Sequence, residues 1–532
     1  VRLVFCLYAE DAGLFATRTA FEDYLRSFAI ENTRDAVIKL FKALDTPLAQ
    51  RDKYDTKLQP FPYVNGGLFA AENIEIPNFT EEIIDVICNH CAPFDWADIS
   101  PTIFGAVFES TLNPDTRRKG GMHYTSVQNI HKVIDPLFMD ELENEYRKIR
   151  AIKTAKQRHE KLLIFQEKLG SLTFLDPACG SGNFLTETYL SLRRLENKTI
   201  LEELLTGKMI GQTFLNFEHE EFNPIKVHIN QFYGIEINDF AVTVAKTALW
   251  IAESQMMTET ENIIRKDIDF LPLTTNASIV EGNALRMDWS MLKPIDETSA
   301  TDGLFSGFTT QTDGEQHEYN YIIGNPPFIG TKYQTENQKQ DILFVCSELK
   351  PLDYVTGWYK KAADLIQNTN TRCAFVSTNS ITQGEQVAPL WKVLSNIQID
   401  FAYRTFRWDS ESNQKAHVHC VIIGFSFADN TQNSVGAKNI SPLQTRRIFN
   451  ADETVINATN INGYLLDAPN VYINANRDAI CSNVPKMIYG SKPVDGGYFQ
   501  LTQEEMEALL KKSPQFEPFI KRYMGADEPD KQ

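Results

Sequence analysis

The chain has 532 residues with 52 Lys and Arg against 70 Asp and Glu, a formal net charge of −18, so no overall basic field is available to hold nucleic acid. Its 42% hydrophobic and 23% charged residues are those of a folded globular chain, and no apolar run reaches the length of a membrane helix. Eight cysteines scattered along the chain make no disulfide framework and point to the cytoplasm, while the absence of a charged-then-apolar leader argues against secretion.

In chain order, residues 1–115 are expected to be helical, with apolar residues at helical spacing in Tyr24, Phe28, Val37, Leu40, Phe41 and Leu44. Val1 opens the sequence in mid-pattern without a Met, as expected of a fragment of a longer protein. A basic, Gly-containing hinge, Arg117 to Gly121, ends this region. The texture then changes to strand, turn and helix through 116–428. Short apolar runs at Leu172–Leu175, Phe232–Ile235, Ser278–Val280, Tyr321–Ile323, Cys373–Val376 and Val418–Phe425 are the expected strands. Helical stretches lie between several of them, the clearest from Asp239, the expected N-cap, to Glu253. This alternation predicts a mostly parallel, doubly wound α/β sheet. Asn197 to Asn230 reads as an insertion, and the alternation fades after about residue 430. There a capping box of Thr502 and Glu505 opens one more helix.

Four segments carry chemistry. In Phe174 to Phe184 (FLDPACGSGNF) a strand ends in Asp176, a Gly-rich turn follows, and a helix begins near Phe184. Such glycines let a backbone approach a ligand closely, although the position of a third small residue in a dinucleotide fingerprint is filled by Leu185. In Tyr233 to Asn238 (YGIEIN) a second strand ends in Glu236, which can accept both hydroxyls of a ribose or stand solvated. Glu281 to Leu285 (EGNAL) again puts a polar side chain, Asn283, just past a strand. In Ile322 to Phe328 (IIGNPPF) two prolines force a rigid turn that fixes the Asn325 amide and the Pro326 carbonyl as acceptors beside the Phe328 ring. Such a set can hold an amino group attached to a planar ring. The Cys88–Cys91 pair lacks the partner pair that a zinc site needs, and no metal site is expected. Asp341 with Glu348 and Lys350 imitates a nuclease cluster but falls in a helical stretch. The chain has no Pro-Cys dipeptide of the kind that carbon-5 cytosine methylation uses.

In their order, DPACGSGNF, YGIEIN, EGNAL and GNPPF resemble the motifs of the amino-methylating DNA methyltransferases, and Gly121 to Ser126 (GMHYTS) resembles the motif that precedes them in the gamma-ordered group. RLVFCLYAEDAGLF, SPTIFGAVFE, SITQGEQ, AHVHCVIIGF, DAPNVYI and MIYGSKPVDGG extend the resemblance, over nearly the whole chain, to the MmeI-like type IIL/IIG restriction–modification proteins. It implies a seven-stranded Rossmann-like methyltransferase sheet over 116–428 behind an all-α N-terminal domain, 1–115. A linker region, 429–532, would lead toward an absent target-recognition domain. It implies S-adenosylmethionine as cofactor, double-stranded DNA as partner with no membrane, and recognition and nuclease modules elsewhere in the full protein or on a partner chain. Tyr124 and Thr125 would line the methionine end of the cofactor. Asp176, Pro177, Ala178, Gly180 and Gly182 would wrap it, Glu236 and Ile237 would hold the ribose, and Asn283 and Ala284 would border the adenine. Asn325, Pro326, Pro327 and Phe328 would form the catalytic pocket for a flipped-out adenine. The implied function is adenine-N6 DNA methylation in a restriction–modification or phage-defence system. The rivals are a methyltransferase for RNA or protein glutamine and a cofactor-binding DNA-recognition scaffold without turnover.

Overall fold

The computed structural model describes residues 1–64, 68–69, 75–105, 125–209, 224–265, 277–292, 318–408, 418–428, 446–473 and 500–521. They fall into two compact units, Val1–Asn474 and Ala475–Gln532.

The first unit is built on one sheet. Its strands are β1 (Phe174–Asp176), β2 (Phe232–Glu236), β3 (Ser278–Glu281), β4 (Tyr321–Gly324), β5 (Arg372–Thr378), β6 (Ile397–Trp408), β7 (Val418–Phe427), β8 (Arg446–Phe449) and β9 (Val455–Ala458). They lie in the order β3-β2-β1-β4-β5-β7-β6-β8-β9. β3, β2, β1, β4 and β5 run parallel, β7 is antiparallel to both its neighbours, β8 is parallel to β6, and β9 is antiparallel to β8. The expected seven-stranded sheet therefore has nine strands. β6 escapes a search for apolar runs because Asp400, Arg404 and Arg407 interrupt it and two register shifts break its alternation. β8 and β9, four residues each, lie where the alternation fades.

Alternate residues of the central strands serve two cores, as the period of two requires. On one face Phe174 stacks between Phe232 of β2 (5.1 Å between centroids) and Tyr321 of β4 (5.5 Å), an aromatic row across three registered strands. This face packs on the helices Val127–Ile134, Ala155–Ser171, Asn183–Met209 and Asp239–Ile264, and its core runs on without a break into the helices Arg2–Asp11, Ala20–Arg26 and Ile30–Leu44. The described part of residues 1–105 contains helices and no strand. On the other face Leu175, Tyr233 and Ile235 meet the helices Glu336–Val345, Thr356–Leu365 and Val387–Val393.

Two local expectations change. The expected insertion after Asn197 begins as the continuation of the helix Asn183–Met209, whose buried Arg193, Glu196 and Asn197 form a polar network with Thr260 of the neighbouring helix. The helix expected from Asp239 is capped one residue earlier, by Asn238 Oδ1 accepting the Ala241 N–H (3.0 Å). Among the described residues, no helix is long and apolar enough to cross a membrane, and no group of three or more His, Cys, Asp or Glu is placed to hold a metal. In the second unit the helix Gln503–Lys512 carries the expected capping box of Thr502 and Glu505.

Candidate active site

β1 and β4 are neighbours at the point where the strand order reverses, with β2 and β3 on one side and β5 on the other. In an open parallel sheet the crevice outside the carboxyl ends of such strands is where a ligand enters. The turns that follow these two strands are the Gly-rich segment and the Asn-Pro-Pro-Phe segment, 149 residues apart from Asp176 to Asn325 (325 − 176) and adjacent in space. Their contact is close: a Cβ on Gly324 would lie 2.5 Å from Asp176 Oδ1.

The Gly-rich turn needs its glycines for two reasons. Gly180 and Gly182 have φ of +54° and +82°, a region that side chains disfavour. A Cβ on Gly182 would also come within 2.8 Å of Ala245 Cβ, where the helix Asp239–Ile264 crosses. The turn is tied to β2 by Cys179 N–H donating to the Ile235 carbonyl (3.1 Å). From the far face, Trp358 Nε1–H donates to the Pro177 carbonyl (3.1 Å).

These elements enclose a cavity of about 570 Å³, within the usual range for a small-molecule site. Of the residues singled out in the sequence, Thr125, Asp176, Pro177, Ala178, Gly180, Glu236, Ile237, Asn283, Ala284, Asn325 and Pro327 line it. Gly182, Pro326 and Phe328 do not: Gly182 faces Ala245, Pro326 is buried, and Phe328 packs against both cores. Tyr124 lies outside the described residues.

Two acids dominate the electrostatics. Asp176 is 1% exposed, and burial pushes its carboxyl up to about 8, against the pull of the Ala178 N–H (3.0 Å) and with a further push from Glu236. Burial also raises Glu236, while N–H groups of Asn238 (3.0 Å) and Gly180 (2.9 Å) favour its charged form. Neither acid makes an ion pair among the described residues. In the same lining, Ser181 Oγ, Asn183 Oδ1 and Asn325 Oδ1 are buried without a hydrogen-bond partner among the described residues. Buried acids without a cation and orphaned polar atoms suit a ligand that is itself cationic and rich in hydrogen-bonding groups.

At the other end Asn283 Nδ2 donates to Asp341 Oδ2 (3.0 Å), and Asp341 also receives Arg286 Nε (2.7 Å) and the Tyr354 hydroxyl (2.9 Å). Asp341 thus belongs to the cavity wall, whereas exposed Glu348 is bonded by Cys346 and Ser347. The carboxylate–lysine imitation in the sequence does not assemble among these residues.

The Asn-Pro-Pro-Phe turn is held from two sides. Asn325 Nδ2 donates to Thr125 Oγ1 (3.2 Å). Asp353 Oδ1 accepts the N–H of Ile329 (2.9 Å), the residue after Phe328, and that of Val355 (3.2 Å). Gln386, in the SITQGEQ stretch, accepts the Asp353 N–H (3.0 Å). Sequence reading passed over Asp353 and Tyr354, in the turn before the helix Thr356–Leu365, and Trp358 within it; the one local signal is an Asp ahead of a helix.

With this geometry in view, a family model described as the MmeI DNA-methyltransferase domain matches residues 152–436, more than half of the chain. The chain belongs to the MmeI family. Models of the MmeI helicase spacer domain and target recognition domain match residues 1–69 and 467–531, the latter inside the stretch expected as a linker. Residues 152–436 are accordingly an S-adenosylmethionine-dependent methyltransferase domain. DNA methyltransferase A of Bacillus subtilis (strain 168) is 36% identical over 99% of this chain and 55% of its own length. A putative type II restriction enzyme and methyltransferase of Methanocaldococcus jannaschii is 29% identical over 47% of this chain and 24% of its own length. The solved structure of the type IIL restriction–modification enzyme MmeI in complex with DNA superimposes with a TM-score of 0.81 at 38% identity, over 99% of this chain and 65% of that one. The chain thus spans between half and two thirds of the length of the Bacillus protein and of MmeI.

Proposed function

We propose that the protein methylates the exocyclic N6 amine of adenine in double-stranded DNA, with S-adenosylmethionine as donor, as the modification activity of a restriction–modification or phage-defence system in the cytoplasm. The observation that carries this reading is one cavity that holds both the unpaired acids Asp176 and Glu236 and the orphaned Asn325 Oδ1. The family's cofactor motif and its target-base motif meet there.

In this reading Tyr124, Thr125, Asp176, Pro177, Ala178, Gly180, Glu236, Ile237, Asn283 and Ala284 hold the cofactor, and Gly182, which faces Ala245, shapes the turn around it. Bound S-adenosylmethionine supplies a methyl group already activated on a sulfonium sulfur, which is left as a neutral thioether when the methyl departs. The protein's own work is positioning and electrostatics. The lone pair of an adenine amine is delocalised into its ring. Accepting its N–H groups at Asn325 Oδ1 and the Pro326 carbonyl favours a more tetrahedral, more nucleophilic nitrogen. Pro327 keeps that turn rigid, and Phe328, packed against both cores yet only half-buried, would turn its open part to a base that has left the duplex. The regions 1–115 and 429–532 flank a methyltransferase domain at 116–428; target recognition begins within the second of them, where the target recognition domain model matches residues 467–531, and nuclease functions belong to the remaining parts of the protein or to a partner.

The test is isothermal titration with S-adenosylmethionine, then transfer of labelled methyl to duplex DNA, RNA or protein by the full-length protein. Asp176→Ala is expected to lose cofactor binding. Asn325→Ala is expected to keep it and lose transfer to DNA. Label that enters only RNA or a glutamine side chain would overturn the DNA assignment, and transfer retained by Asn325→Ala would overturn the pocket.

A further inference from the structure

We propose that Thr125 is a positioning residue for the methyl-transfer step, its hydroxyl holding the Asn325 amide in place for the target amine. The inference rests on the reading of Asn325 given above. It assigns the Thr125 hydroxyl to Asn325 and leaves the cofactor contact of the proposed function to the backbone of Thr125.

The amide of an asparagine turns easily about its last torsion, whose energy profile is broad and roughly two-fold. An acceptor that has to meet an incoming N–H therefore needs a partner for its other end. Asn325 has one: Nδ2 donates to Thr125 Oγ1 (3.2 Å), while Oδ1 is buried with no partner among the described residues. The Thr125 hydroxyl can donate as well as accept, so what it restrains is the place and tilt of the amide beside the site where an amine arrives.

Thr125 is itself well placed to hold still. It is 4% exposed and stands two residues before the helix Val127–Ile134, whose Asn129, Ile130, Val133 and Ile134 are buried. That helix packs against the helix Asn183–Met209, β5 and β7, so it moves with the sheet that carries the Asn-Pro-Pro-Phe turn. A segment 200 residues upstream thus tethers the side chain that carries the acceptor. Thr125 also lines the cavity, which makes a cofactor contact by the hydroxyl the competing role and decides the form of the test.

Thr125→Val removes the hydroxyl at nearly constant shape, and Thr125→Ser keeps it. In the full-length protein, the single-turnover rate of labelled methyl transfer to duplex DNA and the Kd for S-adenosylmethionine by titration are measured for both. For Thr125→Val the rate is expected to fall roughly 10- to 100-fold, the cost of a misplaced reacting group, with Kd changed less than about threefold. Thr125→Ser is expected to restore the rate to within about threefold of the parent. Should Thr125→Val fail to fold, Thr125→Ala carries the same expectation. An unchanged rate, or a Kd that weakens in step with the rate, overturns the positioning role, the second outcome making the Thr125 hydroxyl a cofactor contact. Asn325→Ala in the same assay separates the two readings: retained transfer there sinks the assignment of Asn325 itself, whatever Thr125 does.

Discussion

Cofactor binding is expected to release a proton, and Asp176 is where it is stored. Without ligand the Asp176 carboxyl is pushed up to about 8 by burial, with Glu236 adding to the push. A group titrating there is about 90% protonated at pH 7 and about 10% protonated at pH 9. S-adenosylmethionine is a cation, and it favours the ionised form of an acid it lies against. Binding at pH 7 is thus expected to release close to one proton, and at pH 9 roughly a tenth of one. The assay is titration calorimetry in a series of buffers that differ in ionisation enthalpy, where the slope of observed heat against that enthalpy counts protons. Asp176→Asn, which cannot ionise, is the control, because it leaves any titration of the ligand in place. The parent should release about 0.9 proton more than the variant at pH 7 and almost none more at pH 9. Equal proton release by the two at pH 7 would refute the reasoning. The same acid fixes a sign for stability. Its folded value lies above the ordinary carboxylate value of about 3.9, so its contribution is full below pH ~4 and is lost as pH rises through about 8. The ligand-free protein should melt at lower temperature as pH goes from 6 to 9, less steeply with Asp176→Asn, and saturating cofactor should flatten the parent's slope.

Three substitutions test the scaffold around that acid. Gly182→Ala forces a side chain into positive φ and within 2.8 Å of Ala245 Cβ, and should destabilise the fold by about 2–4 kcal/mol in urea unfolding, the combined order of left-handed strain and overpacking. A loss under about 0.5 kcal/mol would show that the turn relaxes freely. Trp358→Phe removes the N–H that holds the Pro177 carbonyl, worth about 1 kcal/mol, so the cofactor Kd should weaken about fivefold with the fold intact. Asp353→Ala leaves the Ile329 and Val355 N–H groups without their acceptor and should slow methyl transfer about tenfold or more. Asp353→Asn keeps an acceptor oxygen and should stay within about threefold of the parent; equal losses from both would put the effect on charge instead.

What could be read from the sequence follows from how local each cause is. β1, β2 and β4 are legible because Gly, Asn or Pro punctuates them within a few residues of their apolar cores. β6 is not, because the causes of its strand state are distant. Asp400 is tolerated in its interior through Ser426 of β7 and Gln398, with Arg372 and Arg446 nearby, and burial still raises its carboxyl. In the site, the positions on the Gly-rich and Asn-Pro-Pro-Phe turns could be named because backbone rules confine which residues fit there. Asp341 and Trp358 could not be placed there, since each sits in an ordinary helical pattern, nor could Tyr354, in the turn just before the helix Thr356–Leu365. They reach the cavity only through the packing of the second layer of helices.

The topology explains why two such turns can make one site. The chain runs from β1 outward through β2 to β3, and the long return to β4 places its end beside β1 again. Asp176 and Gly324 then stand so close that no side chain fits between them. The acid that would attract the cofactor and the turn that would hold the base are therefore positioned by one pair of registered strands. The finer placement comes from elements that contribute no strand to that pair: Thr125 at the side chain of Asn325, Asp353 at the N–H of Ile329, Trp358 at the carbonyl of Pro177. Each replaces freedom in a turn with one hydrogen bond to a buried, separately anchored side chain. A site whose chemistry is positioning depends on all three, although none of them need touch the atoms that react.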